Sequence, residues 1–241
     1  MIGDVHGCAA ELRELLERLR LGPDDQVLGC GDLFHRGPDP VGVWDLLRTL
    51  PRFRTVLGNH EWALLQRLGV AGARADGSDA RVPDARWTLP DGADLRGDNG
   101  AGVDPSFATC AAEIVRWCAR FPYFLRGTGA LGDRPWLIVH GSVPPGRAPE
   151  YCAPRELVRL VRAGAAADAP PWYADYAGDD FVLYGHVQSG SGEHRDADGV
   201  PRAHGLDTGC VYGGSLTTFR LRDGALESVP ARRRYFRKDA S

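Results

Sequence analysis

Lysine is almost absent from this sequence: 29 residues are basic, and only Lys238 among them is not an arginine. So strong a bias is typical of coding in a GC-rich genome, and we assign it no function. Positive charge is not in excess either, because the formal net charge is −3. Bulk electrostatics therefore give no reason to expect nucleic acid or an anionic membrane as a partner. An anionic substrate would need local positive charge, from metal ions or from individual arginines.

Paired cysteines and long apolar runs are absent as well. The six cysteines form no CxxC pair and are scattered among apolar neighbours, which predicts reduced thiols in the cytoplasm. We also expect no signal peptide. The longest apolar runs fall well short of the roughly 20 residues that span a bilayer. We therefore expect a soluble cytoplasmic protein, with no membrane partner.

Strand-like and helix-like segments alternate along the chain, which favours an α/β sheet protein. Leucines recur at helical spacing in residues 8–20, and valine and leucine do so in 41–50. Helices are also predicted at 62–68 and 107–120, followed by a Pro/Ala-rich helical linker at 144–172. The C-terminal part predicts strands and turns, with a hairpin turn at Asp223-Gly224.

Two segments differ from the rest in composition. Residues 69–106 are rich in Gly, Ala, Asp, Arg and Pro, and long irregular stretches in compact domains are usually functional or disordered. We predict a cap or lid insertion there, within a single domain that spans 1–241. The basic end "RRRYFRK", residues 232–238, is predicted to be solvated.

Five apolar runs each end in polar residues that are suited to binding metal. They are Ile2 before Asp4 and His6, Val27-Leu28 before Asp32, Val56-Leu57 before Asn59 and His60, 137–139 before His140, and 182–184 before His186. In α/β sheets, ligands bind outside the carboxyl ends of the strands. We therefore expect these groups to converge in one crevice.

The predicted ligands are oxygen and imidazole groups without thiolates, which suit Mn²⁺, Fe or Zn²⁺. The set is large enough for two ions, which at about 3.5–4 Å apart activate a bridging hydroxide and clamp a phosphoryl oxygen. Asp32 would bridge the ions, and Arg36 would bind the remaining phosphate oxygens through its planar fork. The other ligands would be Asp4 and His6 on one ion, and Asn59, His140 and His186 on the second.

Five motifs in order, "GDVHG" (3–7), "GDLFHRG" (31–37), "GNHE" (58–61), "VHG" (139–141) and "GH" (185–186), resemble those of calcineurin-like metallophosphoesterases. The resemblance is to the branch that contains phosphoprotein phosphatases, and it spans residue 3 to about 221. It implies a two-sheet αββα sandwich, a binuclear centre, for which Mn²⁺ is favoured, and phosphoester hydrolysis. It assigns Asp4, His6, Asp32, Asn59, His140 and His186 to metal, Arg36 to phosphate, and His60 to protonation of the leaving group.

His35 departs from the phosphoprotein phosphatase pattern GD-x-x-DRG, in which an aspartate at this place pairs with the histidine of GNHE. An imidazole lacks the negative charge that would favour the charged form of His60, so His60 should be a weaker general acid. A serine or threonine alkoxide has a conjugate acid with a pKa near that of water, ~15.7. A departing nucleotide phosphate, with a pKa of ~6, hardly needs a proton. His35 therefore favours phosphoanhydride substrates.

A second resemblance agrees with this. "LDTGCVYGGSLTTFRL" (206–221) and "GDVHGCAAEL" are similar to the symmetrical diadenosine tetraphosphate hydrolases of bacteria. We therefore predict a metal-dependent hydrolase of dinucleoside polyphosphates. The alternatives are a phosphatase of phosphoproteins or small phosphomonoesters, and a catalytically weak binding protein of the same fold.

Two residues remain open. Glu61 either supports the "GNHE" motif or is a charge in the first turn of a helix. Tyr212 either reaches the site from the loop after "LDTG" or is a core aromatic residue.

Overall fold

The computed structural model describes residues 1–70, 105–163 and 168–237. The helices are α1 (Ala9–Leu19), α2 (Pro40–Arg48), α3 (Asn59–Arg67), α4 (Pro105–Cys118) and α5 (Pro154–Arg159). The strands are β1 (Val27–Gly29), β2 (Phe53–Thr55), β3 (Phe124–Ala130), β4 (Arg134–Val139), β5 (Phe181–Tyr184), β6 (Gly192–Arg195), β7 (Pro201–Gly205), β8 (Ser215–Phe219) and β9 (Leu226–Pro230). The predicted α/β class is confirmed. The predicted cap at 69–106 lies outside the described residues except at its two ends.

Ile2 connects two pairs of strands. β1 and β2 are parallel, whereas β8 and β9 form the predicted antiparallel hairpin. Ile2 bridges to Gly29 in the parallel sense and to Thr218 in the antiparallel sense. Its N–H donates to Leu28 O (2.7 Å), and its carbonyl accepts from Cys30 N–H (3.1 Å). The chain that follows Ile2 is therefore fixed between β1 and β8.

A five-stranded mixed sheet has the order β3-β4-β5-β7-β6. Its three central strands are parallel, and β3 and β6 run antiparallel at the edges. Alternate residues of each strand face opposite sides. Leu28 of β1, Phe219 of β8, Ile138 of β4 and Leu183 of β5 are buried in one shared cluster. Residues next to them, such as Val27, are buried in a larger cluster that includes residues of α1, α3 and α5.

The loops that leave the parallel strands begin close together. His140 follows β4 directly, and its carbonyl accepts from the Gly185 N–H of the loop after β5 (3.0 Å). Both loops therefore open at the same edge of the sheet. No helix in the described ranges 1–70, 105–163 and 168–237 combines the length and apolar character needed to cross a bilayer.

The prediction of a helical linker at 144–172 is wrong in most of its length. Its only α-helix is α5, with short 3-10 turns at Pro149–Tyr151 and Trp172–Ala174, and residues 164–167 lie outside the description. The segment contains six prolines, which remove hydrogen-bond donors and clash with a preceding turn. β3 was not predicted, because two glycines interrupt its apolar pattern.

The prediction of a solvated C-terminal end is also wrong for part of it. The N–H groups of Tyr235 and Phe236 donate to Val211 O at 3.0 and 2.9 Å. Both aromatic side chains are half-buried against the larger core cluster. Aromatic burial and these bonds hold the segment on the surface of the fold, although its arginines are exposed.

Candidate metal centre

Four of the predicted site residues have left-handed backbone conformations. The φ angles are 47° at His6, 51° at Asp32, 77° at Arg36 and 71° at His186. Residues other than glycine adopt this region at a cost of about 1–3 kcal/mol each and persist there only when their surroundings fix them. Such conformations cluster at functional sites, so the loops after several strands are built to aim specific side chains.

Asp32, His140 and His186 form a group that we call the second triad, whose ligand atoms all lie within 4.8 Å of one another. His140 Nδ1 lies 2.8 Å from Cys30 O, and its Nε2 lies 2.9 Å from Asn59 Oδ1. His186 Nδ1 also lies 2.9 Å from Asn59 Oδ1. Because a carbonyl oxygen can only accept, His140 Nδ1 carries a proton and Nε2 faces the centre.

The protonation of His140 indicates what the second triad would hold. Its Nε2 lies 2.9 Å from Asn59 Oδ1 and 3.3 Å from Asp32 Oδ2, which is favourable only if a proton or a cation lies between them. Burial lowers the pKa of His140, but Asp32 outweighs it and raises the pKa to about 10. A metal ion would replace that proton, because imidazole binds metal in its neutral form.

Asp4, His6 and Asp32 form the first triad, again with ligand atoms within 4.8 Å. Asp4 Oδ2 accepts from the His186 N–H (3.0 Å), and His6 Nε2 lies 3.6 Å from Asp32 Oδ2. Within the described part of the chain, Asp4 Oδ1 and His6 Nδ1 are buried without a hydrogen-bond partner. Unsatisfied buried polar atoms are costly, and a cation at Asp4 Oδ1 would remove part of that cost.

Burial affects the charges of the first triad in opposite directions. It raises the pKa of Asp4 well above its usual value, with Asp207 adding to the effect, and it lowers the pKa of His6. Burial would also raise the pKa of Asp32, but His140 and His60 outweigh it and hold the pKa well below the usual range. Burial lowers the pKa of His186 to about 3. His6 and His186 are therefore neutral and Asp32 is charged, as metal binding requires, whereas the raised pKa of Asp4 means that an ion would have to displace its proton.

At two positions beside the triads there is room only for glycine. A Cβ atom at Gly185 would overlap Asp4 Oδ1, and one at Gly58 would overlap the Asp32 backbone nitrogen. Larger residues at these two positions would push the carboxylates out of place. The centre is thus fitted to the residue types around it, and its oxygen and nitrogen donors suit divalent metal ions.

Glu61 supports the loop that carries Asp32. Its carboxylate is fully buried and accepts from the N–H groups of Asp32 (2.9 Å) and Leu33 (2.8 Å). Burial, together with nearby Asp32, raises the pKa of Glu61 to about 7. The structure shows both readings left open by the sequence: Glu61 lies in the first turn of α3 and its carboxylate supports the Asp32 loop.

His60, His35 and Arg36 lie beside the first triad. The ring centroid of His60 is 5.3 Å from that of His6 and 5.2 Å from that of His35. Arg36 Nη1 lies 3.4 Å from His6 Nε2. The guanidinium carbon of Arg36 lies 5.7 Å from the ring centroid of Tyr212, so Tyr212 does reach the site. The structure therefore brings all of the predicted site residues together, while their individual roles stay predictions.

Residues 1–190 match the profile of the calcineurin-like phosphoesterase family. The chain belongs to this family. A bis(5'-nucleosyl)-tetraphosphatase, symmetrical, from Edwardsiella ictaluri is 32% identical, with 97% of this chain and 96% of the relative covered. The protein of the same name from Serratia proteamaculans is 30% identical, with 97% and 94% covered.

A solved structure shows the same fold. The crystal structure of a protein assigned as a diadenosine tetraphosphatase superposes with a TM-score of 0.67 at 23% identity, with 95% of this chain and 91% of the other covered. This calcineurin-like phosphoesterase is thus a metal-dependent hydrolase of phosphoric esters or anhydrides. Family membership implies bound metal ions, and the two triads are the candidate sites.

Sequence reasoning missed one acidic residue at the centre of this phosphoesterase. Asp207 is buried, its Oδ1 accepts from the Gly209 N–H (3.1 Å), and it raises the pKa of Asp4. Asp207 follows β7 by two residues, so it obeys the same strand-end pattern as the predicted ligands. That position was a usable signal, although β7 has no apolar run that would draw attention to it.

Proposed function

We propose that this phosphoesterase hydrolyses dinucleoside tetraphosphates symmetrically and releases two nucleoside diphosphates, with diadenosine tetraphosphate as the favoured substrate. Similarity over 97% of the chain to two symmetrical bis(5'-nucleosyl)-tetraphosphatases carries the proposal. An identity of 30% or more across almost the whole of both chains covers the motif loops and the segments between them. The substrate class is therefore inferred from the entire chain.

We propose two divalent ions, with Mn²⁺ favoured and Fe or Zn²⁺ as alternatives. The first triad would hold one ion, and the second triad together with Asn59 would hold the other. The shared position of Asp32 and the absence of thiolate donors from both triads support this arrangement. When bound, such ions supply Lewis acidity toward phosphoryl oxygens and lower the pKa of water.

Arg36 would bind the phosphate oxygens that the metals leave exposed. Its guanidinium carbon lies 5.7 and 5.6 Å from the ring centroids of Tyr212 and Phe236, which restrict its position. Arg36 Nε is buried without a hydrogen-bond partner in the described residues. A guanidinium held in this way retains donors for a phosphate in its planar fork.

His60 would donate a proton to the leaving group, with His35 as its neighbour. The His60 N–H donates to Asp32 Oδ1 (3.0 Å), which fixes the start of α3 against the centre. His35 offers an imidazole where the phosphoprotein phosphatase pattern has a carboxylate, so His60 lacks that negative charge. A nucleoside diphosphate leaves with a phosphate whose conjugate acid has a pKa of ~6, so a weak acid suffices.

The wider architecture is part of the proposal. We propose one domain over 1–241, built as a two-sheet αββα sandwich with a cap at 69–106. The cluster that buries side chains of both sheets supports the sandwich. Six free cysteines support a reducing, cytoplasmic location.

The test compares three substrates at equal Mn²⁺ concentration: diadenosine tetraphosphate, a phosphoserine peptide and an aryl phosphate. We expect the highest kcat/KM with the dinucleotide and ADP as its only product. Asp32→Asn should abolish this turnover, whereas Asp45→Asn, at an exposed position on α2, should preserve it. Release of ATP and AMP would contradict symmetrical cleavage, and preference for the phosphopeptide would contradict the substrate class.

A further inference from the structure

The C-terminal residues 231–237, which we call the strap, are anchored beside the candidate metal centre. Glu11 of α1 is fully buried, and its Oε1 accepts from the Arg232 N–H (2.9 Å) and from Tyr235 Oη (2.7 Å). The backbone of Tyr235 and Phe236 also binds Val211 O. Two separate attachments therefore fix the strap, and Phe236 is placed by the fold.

Phe236 joins the strap to the arginine proposed to bind phosphate. Its ring and that of Tyr212 meet edge to face, with centroids 5.9 Å apart and planes at 74°. Each ring also lies within 5.7 Å of the Arg36 guanidinium carbon. The strap is thus in contact with the site through Arg36, and a substrate phosphate at Arg36 would lie next to it.

An open cleft of about 330 Å³ extends from this aromatic pair. Its lining residues are Gln188, Tyr212, Arg234, Phe236 and Arg237. The volume is at the lower end for small-molecule sites, which suits one arm of a dinucleotide better than the whole molecule. The walls combine aromatic rings, an amide and two guanidinium groups.

The two arginines of the cleft have no carboxylate partner among the residues that the structure describes. Arg234 Nε donates to Tyr212 O (3.1 Å), which orients the guanidinium and leaves its terminal nitrogens for other partners. Within residues 1–70, 105–163 and 168–237, neither Arg234 nor Arg237 forms a salt bridge with a carboxylate. In a chain with a net charge of −3, such a local cluster attracts an anion.

We propose that the strap cleft binds the phosphates and nucleoside of the substrate arm that extends beyond the phosphate at Arg36. This inference rests on the proposed function, since a dinucleoside polyphosphate has such an arm and an aryl phosphate does not. Arg234 and Arg237 contact phosphate oxygens through charge-assisted hydrogen bonds, and the aromatic wall contacts the nucleoside, because bases stack on aromatic rings. An aryl phosphate, with one phosphate and no second arm, does not reach the cleft.

The test uses Arg237→Ala and Arg234→Ala, with Arg233→Ala as the matched control. Arg233 is an exposed strap residue whose guanidinium lies over Tyr235, outside the cleft. For diadenosine tetraphosphate, each cleft variant should raise KM about two- to fivefold with kcat unchanged, as expected for partly exposed charge contacts. KM for an aryl phosphate should not change, and Arg233→Ala should match the wild type with both substrates.

Binding provides a second measurement. Calorimetry with a methylene analogue of diadenosine tetraphosphate should show the same two- to fivefold weakening in the cleft variants only. Three outcomes would each contradict the proposal that the strap cleft binds the substrate arm. They are equal effects on both substrates, an effect of Arg233→Ala as large as that of Arg237→Ala, and no effect on the dinucleotide. A wild-type chain that hydrolyses no dinucleotide would instead contradict the proposed function.

Discussion

The two triads share Asp32 but are held in place by different means. In the second triad both imidazoles lie 2.9 Å from Asn59 Oδ1, and His140 is also fixed by Cys30 O. In the first triad, His6 Nδ1 has no hydrogen-bond partner among the described residues. Its ring is positioned by burial and by the left-handed backbone at residue 6.

This difference predicts unequal metal binding. Hydrogen bonds that orient metal-binding imidazoles typically contribute 10- to 100-fold in affinity. In the second triad the Cys30 carbonyl supplies such a bond to His140 Nδ1, whereas the imidazole of the first triad depends on packing. We therefore expect the ion at the second triad to bind more tightly, by about tenfold.

The largest effect should come from Asp32→Asn, because Asp32 belongs to both triads. The variant removes the negative charge that both ions share. Because the metal ions stabilise the transition state by several kcal/mol, kcat should fall by about a thousandfold. Metal analysis after dialysis should show that both ions are lost. Retention of one ion at its normal affinity would show that Asp32 serves only one triad, and Asp45→Asn controls for the general loss of an acidic residue.

Replacing one histidine of each triad should weaken only the metal ion that this triad binds. His140→Ala should weaken the tighter class of Mn²⁺ site by roughly a hundredfold, and His6→Ala should weaken the other class by a similar factor. The reason is that each imidazole belongs to one triad only. Calorimetric titration of the metal-free chain measures both classes. If His6→Ala removed the tighter class, the ranking of the triads would be reversed.

Glu61→Gln should affect both triads alike, because Glu61 holds the backbone of Asp32. An amide would present a donor to one of two backbone N–H groups, at a cost of about 2 kcal/mol. The midpoint of thermal unfolding should fall by roughly 4–8 °C. Glu17→Gln, at an exposed position on α1, should leave the midpoint unchanged, and an equal fall in both variants would contradict the role of Glu61.

Asn59→Ala tests the oxygen donor that lies beside the second triad and not beside His6. Asn59 is proposed as a ligand of the second ion, so the variant removes one oxygen donor, and the Mn²⁺ affinity of the second triad should fall at least about tenfold, as much as the loss of an orienting partner costs. His6, the histidine of the first triad, does not contact Asn59 in the described structure, so the Mn²⁺ affinity of the first triad should not change. Calorimetric titration measures both classes of site, and equal weakening of the two would contradict the assignment of Asn59 to the second ion alone.

The residues of the triads could be predicted because their signals are local. Each ligand follows a short apolar run, so residue type and strand end together indicate the crevice. The bonds that rank the triads could not be predicted in the same way. Cys30 acts through its backbone carbonyl, which any residue type provides, and the sequence does not show which carbonyl approaches His140.

The strap was misread for a related reason. Its anchor, Glu11, is separated from Arg232 by 221 residues. In the helical pattern of α1, Glu11 looks like an ordinary polar residue, and a run of arginines suggests solvent. Only tertiary contact shows that the carboxylate is buried and that Tyr235 and Phe236 return to the core. Proline likewise overrode the apolar pattern in the linker before β5.

The smallest effect should come from His35→Asp, which changes neither triad and acts on the leaving group. The imidazole of His60 is buried, so a carboxylate beside it should contribute about 1 kcal/mol, the upper end of the range for exposed ion pairs, and alkyl phosphate hydrolysis should rise roughly fivefold. Hydrolysis of diadenosine tetraphosphate should change less, because its leaving phosphate needs little protonation. His35→Asn, which adds no charge, should give no gain with either substrate. Equal gains on the alkyl phosphate and the anhydride would mean that His35 does not select for the leaving group, and the two triads alone would then have to account for substrate preference.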